Sequence, residues 1–182
     1  MPRQALVEHI PGLRRYARAL TGDAWAADDL VQDTLERACG KWRLWLAGSN
    51  LRAWLFTLMH NLFANRVRRA MRQTPGGTVD IEEVAHQLEA PDPGLGDAID
   101  LQRCLLRLPP DQRVVLLLVS VEDMSYQEVA TITGVPIGTV MSRLSRARRR
   151  LQELLDEPAR TTQQTPAAST PPGTVTPLRR LK

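Results

Sequence analysis

Three times along this chain, apolar residues recur at alternating steps of four and three. The sets are Leu6, Ile10, Leu13, Ala17 and Leu20; Leu51, Leu55, Leu58 and Leu62; and Val140, Leu144, Ala147, Leu151 and Leu154. That rhythm tracks the 3.6-residue turn of an α-helix, so each set lines one face that has to be buried against a neighbour. No alternating apolar and polar run of useful length, the mark of a strand, accompanies them. The spacing therefore predicts an all-α fold. Thr21-Gly22 closes the first helix, and Asp23 is placed to cap a second that runs to about Ala38. Gly40, Gly48, Ser49 and Asn50 mark a loop over 41–50.

The pattern breaks once. Residues 73–97, QTPGGTVDIEEVAHQLEAPDPGLGD, carry Pro75, Gly76, Gly77, Pro91, Pro93, Gly94 and Gly96, too many breakers for a long helix. They read as a linker, with room for one short turn around Ile81 to Leu88. Helices are expected again at about 98–107, 110–121, 126–133 and 137–155. After Pro158 the chain is rich in Thr, Pro, Gln and Ala and lacks the apolar content to fold. The expected organisation is a helical domain over 1–73, a linker over 74–97, a second helical domain over 98–156, and a disordered tail over 157–182.

Charge follows the same division. The net charge of +4 over 182 residues is modest, but it is unevenly placed. Arg66, Arg68, Arg69 and Arg72 form one basic cluster, and Arg143, Arg146, Arg148, Arg149 and Arg150 form another. Between them, residues 74–100 hold seven acids and no Lys or Arg. Two cationic patches around an acidic spacer point to two contacts with a polyanion. Cys39 and Cys104 are far apart with no CxxC, and are read as small buried hydrophobes. His9, His60 and His86 are scattered, and no phosphate loop or catalytic cluster is found. No enzyme activity, catalytic residue, metal site or cofactor is expected. Without a signal-peptide pattern or an apolar run of about 18 residues, the chain reads as soluble and cytoplasmic, with no membrane insertion.

The densest signal is MSYQEVATITGVPIGTVMSRLSRARRR. Ser125 and Glu128 have capping-box spacing. Gly134 sits where a helix ends in a positive φ, and Pro136 where a new helix can start without its missing N–H. A short helix, a glycine turn and a longer helix with polar and basic exposed positions make a helix-turn-helix, whose second helix enters a major groove. Thr139, Ser142, Arg143 and Arg146 are candidates for base edges or phosphates, and Arg149 and Arg150 for phosphates.

With LPPDQRVVLLL before it, this segment resembles region four of bacterial RNA polymerase sigma factors of the extracytoplasmic-function (ECF, group IV) class. DDLVQDTLERA resembles the region-two segment that docks on the polymerase clamp helices, and LRAWLFTLMHNLFANRVRRAMR the region-two helix facing the minus-ten promoter element. The resemblance spans about residues 5–156. It implies a sigma factor that binds core RNA polymerase, at the clamp helices and flap, and promoter DNA, with an anti-sigma factor as regulator. Asp28, Asp29, Leu30, Gln32 and Asp33 would face the polymerase. Trp45, Ser49, Asn50, Asn61 and Asn65 would meet the melted minus-ten strand, with Arg66, Arg68, Arg69 and Arg72 on its phosphates. Ser125, Tyr126, Pro136, Thr139, Ser142, Arg143, Arg146, Arg149 and Arg150 would meet the minus-thirty-five duplex. Trp54 adjoins an apolar stripe and is expected in the core. Leu35, Glu36 and Cys39 depart from the family pattern, which has bulkier or more apolar residues there. The alternative is a stand-alone helix-turn-helix regulator, which has no need of the clamp segment.

Overall fold

The structure is a computed structural model that describes residues 2–42, 45, 50–73 and 96–156. The linker turn expected near 81–88, the tail and Ser49 lie outside the described residues. Within them there are only helices: α1 (Pro2–Val7), α2 (Ile10–Thr21), α3 (Ala24–Gly40), α4 (Leu51–Gln73), α5 (Gly96–Leu106), α6 (Pro110–Ser120), α7 (Tyr126–Thr133) and α8 (Ile137–Asp156). The first apolar stripe spans two helices rather than one. Pro11, in the first turn of α2, has no N–H to continue a helix from α1, so the chain turns at Glu8–His9 while Leu6, Leu13, Ala17 and Leu20 still share one buried side.

Local chemistry sets the other boundaries as the sequence foretells. Asp23 accepts a hydrogen bond from the Ala26 amide at 2.6 Å and starts α3. Ser125 and Glu128 form the reciprocal capping box of α7, and Gly134 ends that helix in the left-handed region at φ 69°. Gly22 ends α2 at φ 76°, and a side chain there would also collide with Leu106. Glycine is required at that corner twice over.

The first half, α1–α4, packs α2 on α3 and α3 on α4; the second half, α5–α8, packs around α6 and α8. The halves also pack on each other. α7 lies against α4, and α2 lies against α5 and α6. Leu13, Tyr16, Leu30, Leu55, Phe56, Leu117, Leu118, Val129, Val140 and Leu144 all belong to one continuous apolar core.

Candidate nucleic-acid interface

The C-terminal two-thirds of α4 carries the first polar surface. Asn61, Asn65, Arg68, Arg69 and Arg72 are all exposed. Steps of four and three place them on one side of the helix, opposite Leu55, Met59 and Phe63 in the core. Among the described residues, Arg68, Arg69 and Arg72 have no acidic partner. Arg66 is 100° around the helix from its neighbour Asn65, and it turns the other way. Its guanidinium holds Asp29 at 2.7 Å and Asp33 at 2.6 Å, both on α3. The sequence grouped four arginines; the helix phase divides them three and one.

Before α4, the two described residues of the expected minus-ten loop that were named as candidates, Asn50 and Trp45, have partners within the protein. Asn50 is the N-cap of α4: its Oδ1 accepts from the Ala53 amide at 3.0 Å, and its Nδ2 donates to Glu128 of α7 at 2.8 Å. Trp45 stacks on Trp42, with ring centroids 4.9 Å apart, and Trp42 meets Trp54 edge-on. Trp42 and Trp54 pack against the core, as expected for Trp54. The Trp45 indole Nε1 is buried with no hydrogen-bond partner among the described residues.

The second polar surface lies on α8. Val140, Leu144, Ala147 and Leu154 hold the helix to the core, and Arg146, Arg148, Arg149 and Arg150 are exposed. Glu153 pairs with Arg149 at 3.7 Å and with Arg150 at 3.4 Å. Arg143 is only 27% exposed and binds Asp111 of α6 at 3.1 Å. Ser142 donates to the Thr139 carbonyl. Ser125 is occupied as a cap, its Oγ bonded to Glu128. Hydrogen bonds from the Ser125 backbone and then its hydroxyl hold the Glu128 carboxyl below its usual range. Tyr126 is half-buried against the core, and Pro136 is exposed at the turn.

A third surface lies on α3. Asp29 and Gln32 are exposed, and Asp28 and Asp33 are about half so. Asp28 pairs with Arg14 at 3.2 Å. Leu30 does not belong with them, since it is fully buried, its position in the helix turning it to the core. Cys39 corrects a second expectation: it is exposed, while Cys104 is buried. Cys39, Leu35 and Glu36 all line one open groove of about 610 Å³ between α2 and α3, with Ile10, Val31 and Gln32.

The residues that the sequence reading missed join the halves. Glu122 has a fully buried side chain that accepts from Arg15 of α2 and Arg52 of α4, each at 2.9 Å; Arg52 also donates to its carbonyl at 2.6 Å. Arg113 donates to the Leu20 carbonyl at 2.6 Å and to those of Leu106 and Leu108. Burial pushes the Arg113 pKa down to about 10, which leaves it charged at neutral pH. An acid placed directly after the run VVLLLVSV, and an arginine directly before it, were the available signals.

Comparison with known proteins then assigns the chain. Residues 6–60 match a family described as the sigma2 domain of PhyR, and residues 98–151 match sigma-70 region 4. The ECF RNA polymerase sigma factor EcfG of Rhodopseudomonas palustris is 38% identical over 156 residues, covering 84% of each chain. This chain belongs to the ECF sigma factors. Among solved structures, the sigma factor RpoE of Bartonella quintana, in complex with the anti-sigma factor NepR, matches with TM-score 0.70. That pair is 37% identical, with 86% of this chain and 97% of that one covered. CnrH, in complex with the cytosolic domain of CnrY, matches with TM-score 0.61 at 28% identity, over 84% and 86% of the two chains. The stand-alone regulator is not favoured. Among the described residues, no helix of this sigma factor is long and apolar enough to cross a membrane, and no group of side chains is arranged to hold a metal ion.

Proposed function

We propose that this sigma factor binds core RNA polymerase through the α3 surface of Asp28, Asp29, Gln32 and Asp33, and brings it to promoters from within the cytoplasm. The α7–α8 helix-turn-helix reads the minus-thirty-five duplex, and α4 holds the opened minus-ten strand. The observation that carries this reading is the exposed α4 stripe. Asn61 and Asn65 offer amide donors and acceptors to unpaired bases, and Arg68, Arg69 and Arg72 follow on the same side for phosphates. On α8, Arg146, Arg148, Arg149 and Arg150 supply backbone contacts, and Arg143 reaches DNA only by leaving Asp111. An anti-sigma factor is the proposed regulator, as in the complex of RpoE with NepR. No bond chemistry is assigned to the chain.

The two halves work as separate modules in this reading, 1–73 and 98–156, tethered by 74–97. The promoter elements lie about 25 base pairs apart, or about 85 Å at ~3.4 Å per pair. A compact body of ~150 residues has a radius of gyration of about 15 Å. Engaging both elements therefore requires α7 to leave α4.

The test is transcription from a promoter library with purified core polymerase, with and without this chain. Transcripts that require the chain support the reading; failure to associate with core polymerase sinks it. Arg146→Ala is expected to weaken use of promoters through their upstream element. Asn65→Ala is expected to slow strand opening while leaving duplex contact intact. Equal loss of the same step in both variants overturns the division of labour.

A further inference from the structure

The first two turns of α8 are chemically unlike the rest of it. Ile137 is 43% exposed and Met141 51% exposed, and they stand one helical turn apart on the same flank. Between them, Gly138 occupies a helical position where a side chain would meet no atom within 4 Å. It has no positive φ, so neither space nor backbone conformation calls for glycine. An alanine there would favour the helix by about 1 kcal/mol. Arg143, the first charged side chain of the helix, is turned to Asp111. The outward face of residues 137–142 therefore carries the apolar side chains of Ile137 and Met141 and the bare backbone of Gly138, beside the half-exposed hydroxyls of Thr139 and Ser142, and the arginines without an acidic partner among the described residues begin only at Arg146.

A lone exposed apolar residue is ordinary on any surface. Two in register, flanking a glycine that the fold does not need, at the start of a helix whose later turns are cationic, form a built face. The N-terminal turns of a recognition helix are those that approach base edges, while later turns meet phosphates. Of the groups displayed in a major groove, the C5-methyl of thymine is the one that offers a side chain apolar bulk to cover. A bare glycine backbone lets a neighbouring surface come close.

We propose that Ile137, Gly138 and Met141 form a specificity face that reads a thymine methyl group in the upstream promoter element. Met141 and Ile137 cover the methyl, and Gly138 sets how closely the helix sits against the pair. This rests on α8 being the duplex-reading helix. It adds a base readout that uses none of the arginines.

The experiment uses the full chain with core polymerase on an upstream element selected from a random library. Each thymine of that element is replaced in turn by deoxyuridine, which lacks only the methyl group. At one or two positions the unmodified chain is expected to lose about three- to fivefold in promoter binding, the effect of exposing one methyl group. Met141→Ala is expected to lose a similar factor on the thymine promoter and nothing further on the deoxyuridine promoter; Met141→Leu retains most of the discrimination. Gly138→Ala is expected to fold at least as stably, by thermal denaturation, and to bind the promoter less well.

The proposal is overturned if deoxyuridine is tolerated at every upstream position. It is also overturned if the Met141→Ala and deoxyuridine losses multiply, which would mean that Met141 meets a protein surface such as the polymerase. A Gly138→Ala chain as active as the parent overturns the role of the glycine. If no promoter depends on the chain at all, the sigma reading fails first and this face falls with it.

Discussion

The two halves carry similar arginine clusters in sequence and offer them differently in space. In the cluster on α4, Arg68, Arg69 and Arg72 stand clear of any described acid, and of the four only Arg66 is held, by Asp29 and Asp33. On α8 the balance reverses: Arg143, Arg149 and Arg150 have acidic partners, and Arg146 and Arg148 have none among the described residues. A count of basic residues therefore overstates the charge that the second half presents. The first half offers nearly bare charge beside two asparagines, suited to a flexible strand. The second offers charge tempered by carboxylates, and in the proposed reading a duplex has to compete with Asp111 and Glu153.

The largest effect is expected where the halves depend on each other. Glu122→Ala removes a fully buried carboxylate and leaves Arg15 and Arg52 unpaired at the joint. Both arginines are partly exposed, so the cost falls at the lower end for a broken buried pair, about 3 kcal/mol by urea denaturation. A loss under about 1 kcal/mol would show that each half stands without the other. Tyr16→Phe runs in the opposite direction. The Tyr16 hydroxyl is buried with no partner among the described residues, and burial beside Glu122 pushes its pKa up. Deleting it is expected to leave stability unchanged or to raise it by about 1 kcal/mol. A clear loss would reveal a partner for that hydroxyl.

Smaller effects sharpen the contrast between the charge clusters. Asp111→Asn is expected to cost about 0.5 kcal/mol of stability, as for an ordinary surface ion pair. By freeing Arg143 it should tighten duplex binding and steepen its salt dependence by about one charge. No change in the salt slope would mean that Arg143 is not restrained by Asp111. The smallest effect is that of His60. Burial, then Arg143 and Arg68, push its pKa below the ordinary value of 6.5. Its protonation is harder in the folded chain, so this stability is complete above about pH 6.5 and is lost as pH falls below it. His60→Gln should flatten that part of a melting-temperature profile. If Arg143→Ala flattens it too, a charge on the second half acts on a histidine of the first.

Most helices were legible because their signals are local. The 4–3 apolar steps, the Asp23 cap, the Ser125–Glu128 box and Gly134 each act over a few residues. What escaped was side-chain partnership across elements. Arg66 and Arg143 look like their neighbours until helix phase and the acids on α3 and α6 are known. Leu30 sits among polar residues in sequence, yet helix phase turns it to the core. Cys39 is small and apolar in a buried-looking helix and emerges on a groove wall. The joint was the least legible, since Glu122 and its arginines are 107 and 70 residues apart along the chain. The candidate surfaces were legible as compositions; which of their members stand free was not.

Asn50 and Glu128 each finish a helix start within their own half, one binding the Ala53 amide and the other the Ser125 amide, and then hold hands across the boundary. Pulling α7 from α4 therefore undoes one link of that chain and unravels neither helix start. At this spot the molecule has a clasp rather than a weld, one that can be opened and refastened with both of its ends still in shape.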